Sequence, residues 1–166
     1  MRLLIDDLSD ESIEIRDTHR ISINNNVKTC IGCFGCWVKT PAACIINDDS
    51  QLVGYMMSES NEVIIVSRCV YGGFSPFVKS VIDRSLSYVH PYFEIHKKQL
   101  CHKRRYRSHF KMRILFYSNN FFDSSQRLAE KYSECLAKKY QVTDLKVNFY
   151  NRIPKEEDIA YESSFD

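Results

Sequence analysis

Four of the seven cysteines fall within fifteen residues, CIGCFGCWVKTPAAC, residues 30–44. The spacing is C-x2-C-x2-C-x7-C. Thiolates two residues apart can wrap a cubane cluster, and a fourth from a nearby turn completes a four-thiolate ligand set at Cys30, Cys33, Cys36 and Cys44. Four thiolates also suit zinc, although the usual zinc-ribbon arrangement is two separated C-x2-C pairs. A metal-free or redox-active thiol loop is the third possibility. Gly32 and Gly35 loosen the segment, while Trp37 and Pro41 can shield or anchor it. The scattered Cys69, Cys101 and Cys135 read as small buried apolar residues.

A second stretch, SRCVYGGFSPF at residues 67–77, could bind a flat ring. Gly72 and Gly73 let backbone approach a ring edge without a Cβ in the way, and Tyr71 can cover an aromatic face. Taken alone, the same residues describe a tight turn before a helix. A third stretch, KKQLCHKRRYRSHFKMR at residues 97–113, holds eight Lys or Arg and two His. It could meet an anion, an acidic partner or, through interleaved Tyr106 and Phe110, a nucleic acid. A solvated surface loop is the more ordinary use of such a run, and nucleic acid is not the favoured partner. No Ser-His-Asp pattern, complete Walker loop or GxGxxG is present, and the histidines at 19, 90, 96, 102 and 109 follow no metal-ligand spacing.

At 166 residues, 44% hydrophobic and 27% charged, the chain supports one core, expected over residues 1–150 with a polar tail at 151–166. The net charge of +2 decides little. No stretch reaches the roughly 20 apolar residues of a membrane span, and MRLLIDDLSDES lacks the features of a signal peptide. A cytoplasmic, non-membrane protein is therefore expected, where clustered cysteines serve metals or redox chemistry rather than disulfides.

The elements that must position these motifs follow from periodicity. Leu3-Leu4-Ile5, Val63-Ile64-Ile65-Val66 and Ile114-Leu115-Phe116-Tyr117 are continuous apolar runs, as in strands covered on both faces. Ile21-Ser22-Ile23 and Leu145-Lys146-Val147-Asn148-Phe149 alternate, as edge strands do. Between them, Asp48-Asp49-Ser50 offers caps for a helix carrying Leu52, Val53, Met56 and Met57. Ser75-Pro76 opens a second helix with Phe77, Val78, Val81, Ile82 and Leu86 on one face, stopped at His90-Pro91. A third starts near Asp123, with Gln126 placed for a capping box and Leu128, Tyr132, Leu136 and Tyr140 along it. Strands alternating with helices predict an α/β, flavodoxin-like, doubly wound sheet of five parallel strands in the order 2-1-3-4-5. Its ligand site lies beyond the carboxyl ends of the strands, at the switch point between the first and third.

CIGCFGCWVKTPAACIINDD followed by EVIIVSRCVYGGFSPFVKSVIDR resembles flavodoxin-fold NAD(P)H-dependent FMN reductases and their iron-sulfur flavoprotein relatives. The matching residues are Cys30, Cys33, Cys36, Cys44, Asp48 and Asp49, then Tyr71, Gly72, Lys79, Asp83 and Arg84, within about residues 29 to 85. The resemblance implies an oxidoreductase or electron-transfer flavoprotein using FMN and NAD(P)H, and a homodimer with flavin near the interface. For the four cysteines it implies either a [4Fe-4S] cluster or bare thiols. It assigns the polar edge of the flavin to Ser67, Arg68, Cys69, Val70, Tyr71, Gly72 and Gly73. Lys79, Asp83 and Arg84, at i, i+4 and i+5, equally describe a helix-surface ion pair.

The chain departs from the family after its first strand. A loop rich in Gly, Ser, Pro and Arg holds the FMN phosphate there, whereas this chain has DDLSDESIEIRD, whose Asp6, Asp7, Asp10 and Glu11 repel a phosphate at close range. The connection of about 14 residues is near the minimum for a crossover with its helix, so the first helix is expected short or absent. The basic stretch, or Ser124 and Ser125 in SNNFFDSSQR, could supply phosphate contacts instead. The alternative is a non-catalytic binding or regulatory domain that has lost FMN.

Overall fold

In the computed structural model, residues 1–10, 13–96 and 98–160 are described. Five parallel strands form the main sheet: β1 (Arg2–Asp6), β2 (Thr18–Ile21), β3 (Glu62–Arg68), β6 (Lys111–Tyr117) and β7 (Leu145–Tyr150). A separate antiparallel hairpin holds β4 (Val89–His96) and β5 (Gln99–Arg104). The main sheet runs β2-β1-β3-β6-β7, which is the order 2-1-3-4-5 expected from the apolar runs. Residues 3–5, 63–66 and 112–116 carry the burial: Leu3, Ile5, Val63, Ile64, Ile65, Val66, Ile114, Leu115 and Phe116 have no exposed surface.

The two faces of this sheet are covered unequally. A single turn of helix, α1 (Gly35–Val38), lies within the cysteine loop. On one face of the sheet, α2 (Val53–Ser58), α3 (Pro76–Arg84) and α4 (Asp123–Tyr140) bury Val53, Met57, Val78, Val81, Ile82, Leu136 and Tyr140 against Leu3, Ile5, Val63, Ile65 and Ile114. On the other, Leu4, Ile64, Val66 and Leu115 meet Leu8 and Ile13 of the first connection and Ile159 of α5 (Glu156–Ala160), with half-buried Ile15, Tyr117 and Tyr150 at the margin. No helix forms among the described residues of that connection, as its length predicted. Buried Arg113 closes the thin face, donating to Glu62 Oε1 (3.1 Å) and the Ile159 carbonyl (2.7 Å). Residues 151–160, expected within a polar tail, thus bring a helix onto the core; 161–166 lie outside the described residues.

Several elements differ from the sequence expectation. β2 ends at Ile21 rather than beginning there, because the Ser22 amide turns to Asn25 Oδ1 (2.8 Å) and the Asn25 amide to the Ser22 carbonyl (2.9 Å), closing a turn. The helix from Pro76 stops at Arg84 and tightens into a 3-10 turn, Ser85–Tyr88, that feeds β4. His90-Pro91 is therefore inside a strand, where the register is irregular between Val89 and Phe93. Proline has no N–H for a ladder and is tolerated at such an irregularity. The basic stretch, expected as a surface loop, supplies β5 and the start of β6; Lys97 lies outside the described residues. Asp48 and Asp49 do not cap α2, whose N-cap is Leu52 without a side-chain bond. The N-cap of α4 is Phe122, likewise with no side-chain cap bond, so the capping box is not formed.

Candidate functional site

The carboxyl ends of β3 and β6 enclose a cavity of about 340 Å³. Its walls are Arg68 at the end of β3, Cys69 to Tyr71 from the loop that follows, and Ser118, Asn120, Phe121, Phe122 and Ser125 from the loop after β6 and the first turn of α4. The volume is at the lower end of the roughly 300–1,000 Å³ typical of small-molecule sites. The second wall belongs to the segment that the sequence offered as an anion loop. Here it contributes mainly aromatic surface.

Val70 and Gly73 exchange both backbone hydrogen bonds at 2.9 Å, closing a two-residue loop. Tyr71 (φ 50°) and Gly72 (φ 79°) occupy its centre, both in the left-handed region that a type I′ turn requires. A bulky residue is rarely held there. Tyr71 is 93% exposed, so no burial stabilises its side chain in that posture. Gly72 is fixed twice over: by φ, and because a Cβ would stand 2.8 Å from Leu128 Cβ. Gly72→Ala is expected to cost about 1–2 kcal/mol, from the left-handed penalty, measurable by chemical denaturation.

Of the seven residues assigned to a ring edge, Arg68, Cys69, Val70 and Tyr71 line the cavity. Ser67 is buried below it, its hydroxyl accepting from the Ser75 amide (2.9 Å) and donating to the Arg68 carbonyl (3.0 Å). Cys69 N–H donates to the Tyr117 carbonyl (2.9 Å), and Arg68 N–H to Asp7 Oδ2 (3.0 Å). With Val70 and Gly73 paired to each other, the polar side chains of Arg68, Asn120 and Ser125 are placed to meet a ring's polar edge. Burial pushes the Cys69 thiol up, which keeps it protonated near neutrality.

The end of β1 is organised by its own carboxylates. Asp6 is fully buried and accepts from Arg20 Nε (2.7 Å) and Nη2 (3.0 Å), and from the Leu8 amide (3.0 Å). The Asp7 amide donates to the Val66 carbonyl (3.3 Å). Tyr117, beside Asp7, is pushed well above the usual tyrosine range, first by burial and then by that carboxylate. An adjoining cavity of about 420 Å³ is lined by Asp7, Asp10 and Glu156, with Lys155 the single cation among its described lining residues. Glu11, expected to add to this negative charge, lies outside the described residues.

The cysteine loop is held from beneath by Arg84, whose guanidinium and partner carboxylate have no exposed surface. Arg84 Nη1 donates to Asp48 Oδ2 and the Lys28 carbonyl, each at 2.7 Å. Its Nη2 donates to Asp48 Oδ1 (2.8 Å) and the Ile46 carbonyl (3.0 Å). Asp48 also accepts from the amides of Lys28 (2.9 Å) and Ser50 (3.0 Å), and Asp49 from the amide of Asn26 (2.9 Å). The acidic pair is therefore a clamp across the base of the loop. Burial alone would push the Asp48 carboxyl up; the Arg84 bonds and the two amides overcome it and hold it at about 2. Lys79 and Asp83, by contrast, form an exposed i, i+4 ion pair.

Trp37 anchors the other side of the loop, its Nε1–H shared between the carbonyls of Leu86 (3.1 Å) and Val89 (2.9 Å). Cys30, Cys33, Cys36 and Cys44 line one small cavity of about 30 Å³ against Arg84. Burial, then the neighbouring thiols of Cys44, Cys30 and Cys33, push the Cys36 thiol up. Among the described residues no three His, Cys, Asp or Glu side chains converge so as to hold a metal ion. The four sulfurs share a neighbourhood, and a closed ligand set for a [4Fe-4S] cluster or zinc is not formed. Of the scattered cysteines, Cys69 and Cys101 are half-buried and Cys135 is exposed, so none is the fully buried residue expected.

The sequence reading missed the hairpin surface. Ile95 pairs across from Leu100 and Phe93 from His102, placing these four side chains on one face. Rings at 4.5–5.4 Å continue that face through His102 and Trp37 to Phe34. Phe93 (62% exposed), Ile95 (79%) and Leu100 (72%) join exposed Ile31, Phe34 and Val38 in a broad apolar surface. Alternation of apolar residues with charged ones marks a strand only where one face is buried; neither face of this ribbon is. A cavity of about 790 Å³ lies between the hairpin and the end of α4, at the amino ends of the strands and away from both motifs.

No family model matches the sequence, and no curated protein matches it. Among solved structures, the Trp repressor binding protein from Bacillus subtilis is similar, at a TM-score of 0.53 and 8% identity over 92% of this chain and 89% of that one. At that identity the likeness is one of fold. Together with the strand order, it shows this chain to have an α/β, flavodoxin-like architecture.

Proposed function

We propose that this chain is a flavin-dependent oxidoreductase or electron-transfer flavoprotein that takes electrons from NAD(P)H. The observation that carries the reading is the cavity between the carboxyl ends of β3 and β6, with exposed Tyr71 on a left-handed turn beside it and Phe122 on the opposite wall. Ligands of this sheet type sit outside the carboxyl ends of the strands, and this cavity adjoins the switch point between β1 and β3 through their shared neighbour β3. A bound flavin ring would accept hydride from NAD(P)H and pass electrons onward. The protein's part is placement: Tyr71 and Phe122 cover apolar ring surface and exclude water, while Arg68, Asn120 and Ser125 meet polar atoms. Cys69 keeps its proton at Sγ and adds no charge beside the ring. Titration of the purified protein with flavin should quench flavin fluorescence, and NAD(P)H should be oxidised with a dye acceptor; absence of any flavin binding would overturn the reading.

The four clustered cysteines are proposed as a thiol loop packed beside this fold, since their geometry lacks a closed ligand set; no electron step is routed through a cluster. A binding or regulatory domain without turnover is the second reading, favoured by the carboxylates that occupy the end of β1. It requires that NAD(P)H is not consumed with any flavin or acceptor.

A cytoplasmic homodimer completes the proposal. Among the described residues no helix is long and apolar enough to cross a membrane. The surface made by Phe34, Phe93, Ile95 and Leu100 is assigned to the dimer contact, because an uncovered apolar face on a two-stranded ribbon is a liability in water. The double variant Ile95→Lys, Leu100→Lys is expected to elute as a monomer with an unchanged circular dichroism spectrum, whereas the unaltered chain has twice that mass by light scattering.

A further inference from the structure

We infer that the site takes a flavin by its ring alone and has no subsite for the phosphate, so that riboflavin and FMN are equivalent ligands or riboflavin is preferred. This rests on the flavin reading above.

A phosphate at the switch point needs free donors, usually backbone N–H groups after the first strand and a helix N-terminus behind them. The first two of those donors, at the end of β1, are engaged here by the chain itself. The Leu8 amide donates to Asp6 Oδ1, the Asp7 amide to the Val66 carbonyl, and the Arg68 amide, at the end of the neighbouring strand, to Asp7 Oδ2. Two carboxylates thus stand where an anion's oxygens would be, and Arg20 neutralises one of them from β2. No helix begins among the described residues of the connection. The space beside it is lined by Asp7, Asp10 and Glu156 against Lys155 alone among its described lining residues. A doubly charged group brought there would displace good internal hydrogen bonds and face the negative charge of that lining.

The ring cavity stands apart from this arrangement. Its lining includes neither Asp7 nor Glu156, and its polar side chains suit an uncharged heterocycle. Exposed Arg68 is the cation on its rim, and the side chain that could gather a phosphate from solvent.

The full chain is titrated with riboflavin and with FMN by fluorescence quenching, at low and at raised ionic strength. Riboflavin is expected to bind at least as tightly as FMN at low ionic strength. FMN binding should then tighten as salt screens the acidic lining, within a Debye length of about 10 Å at 0.1 M, while riboflavin binding stays constant. In Glu156→Gln, FMN should gain several-fold over riboflavin, with the riboflavin affinity unmoved. FMN binding more than about threefold tighter than riboflavin, and weakening with salt, would overturn the inference and leave the flavin reading standing. Failure of both ligands to bind would overturn the flavin reading and the inference with it.

Discussion

Replacing Arg84 by methionine is expected to destabilise the protein by about 3–5 kcal/mol, the cost of leaving one member of a buried ion pair without the other. Four hydrogen bonds leave with the guanidinium, two to Asp48 and one each to the carbonyls of Lys28 and Ile46. The Asp48 carboxylate then keeps only its amide and hydroxyl donors from Lys28 and Ser50. The base of the cysteine loop should open, and thiol-labelling reagents should reach buried Cys44 sooner than in the unaltered chain. Asp48→Asn alone should also be costly, and the double variant should cost less than the sum of the two. The same pair sets an acid limit. Asp48 is lowered from 3.8 to about 2 on folding, so the unfolded chain takes up its proton first. Stability from the pair is complete above pH about 4 and drains away as pH falls through about 2, worth roughly 2 kcal/mol in all. In Arg84→Met this acid limb should shrink or vanish, because the partner that holds the Asp48 carboxyl low is gone and burial pushes it back up. A denaturation midpoint within about 1 kcal/mol of the unaltered chain would contradict the role given to Arg84.

Gly54→Val should cost about 3 kcal/mol, for a different reason. Gly54 lies where α2 crosses the 3-10 turn, and a Cβ there would stand 2.3 Å from Ser87 Oγ and 2.6 Å from the Tyr88 backbone nitrogen. A serine hydroxyl can rotate away, but backbone cannot. The displaced segment also contains the Leu86 and Val89 carbonyls that accept from Trp37 Nε1, so the damage should reach the cysteine loop and the root of the hairpin. A red shift of the single tryptophan's emission, with lowered stability, is the expected signature. A variant of normal stability and unshifted emission would show that α2 and the turn can separate without loss.

Much of the architecture was legible because burial leaves a mark on sequence. Val63 to Val66 and Ile114 to Phe116 are continuous apolar runs because helices or loops cover both sides of those strands. The strand order followed from which runs were continuous and which alternated. β5, QLCHKR, was illegible for the converse reason: Leu100 is exposed on one side and Lys103 on the other, so neither a period of two nor a run of apolar residues arises. Arg84 was readable as part of a Lys-x-x-x-Asp-Arg helix, but not as a buried peg. Five residues at about 100° each turn it some 140° away from Lys79, onto the side that packs inward. The acidic residues after β1 were read by sign alone, as groups that repel. Their role as acceptors depends on Arg20 and Arg68, which the fold brings from other strands.

Asp6 and Asp7 carry one further consequence, which concerns supply. A protein whose binding loop needs a ligand's oxygens to satisfy its amides gains folded population by mass action as that ligand accumulates. This chain satisfies the corresponding amides from birth, with oxygens encoded in its own sequence. Folding of this end of the sheet is therefore not tied to the supply of an anionic ligand.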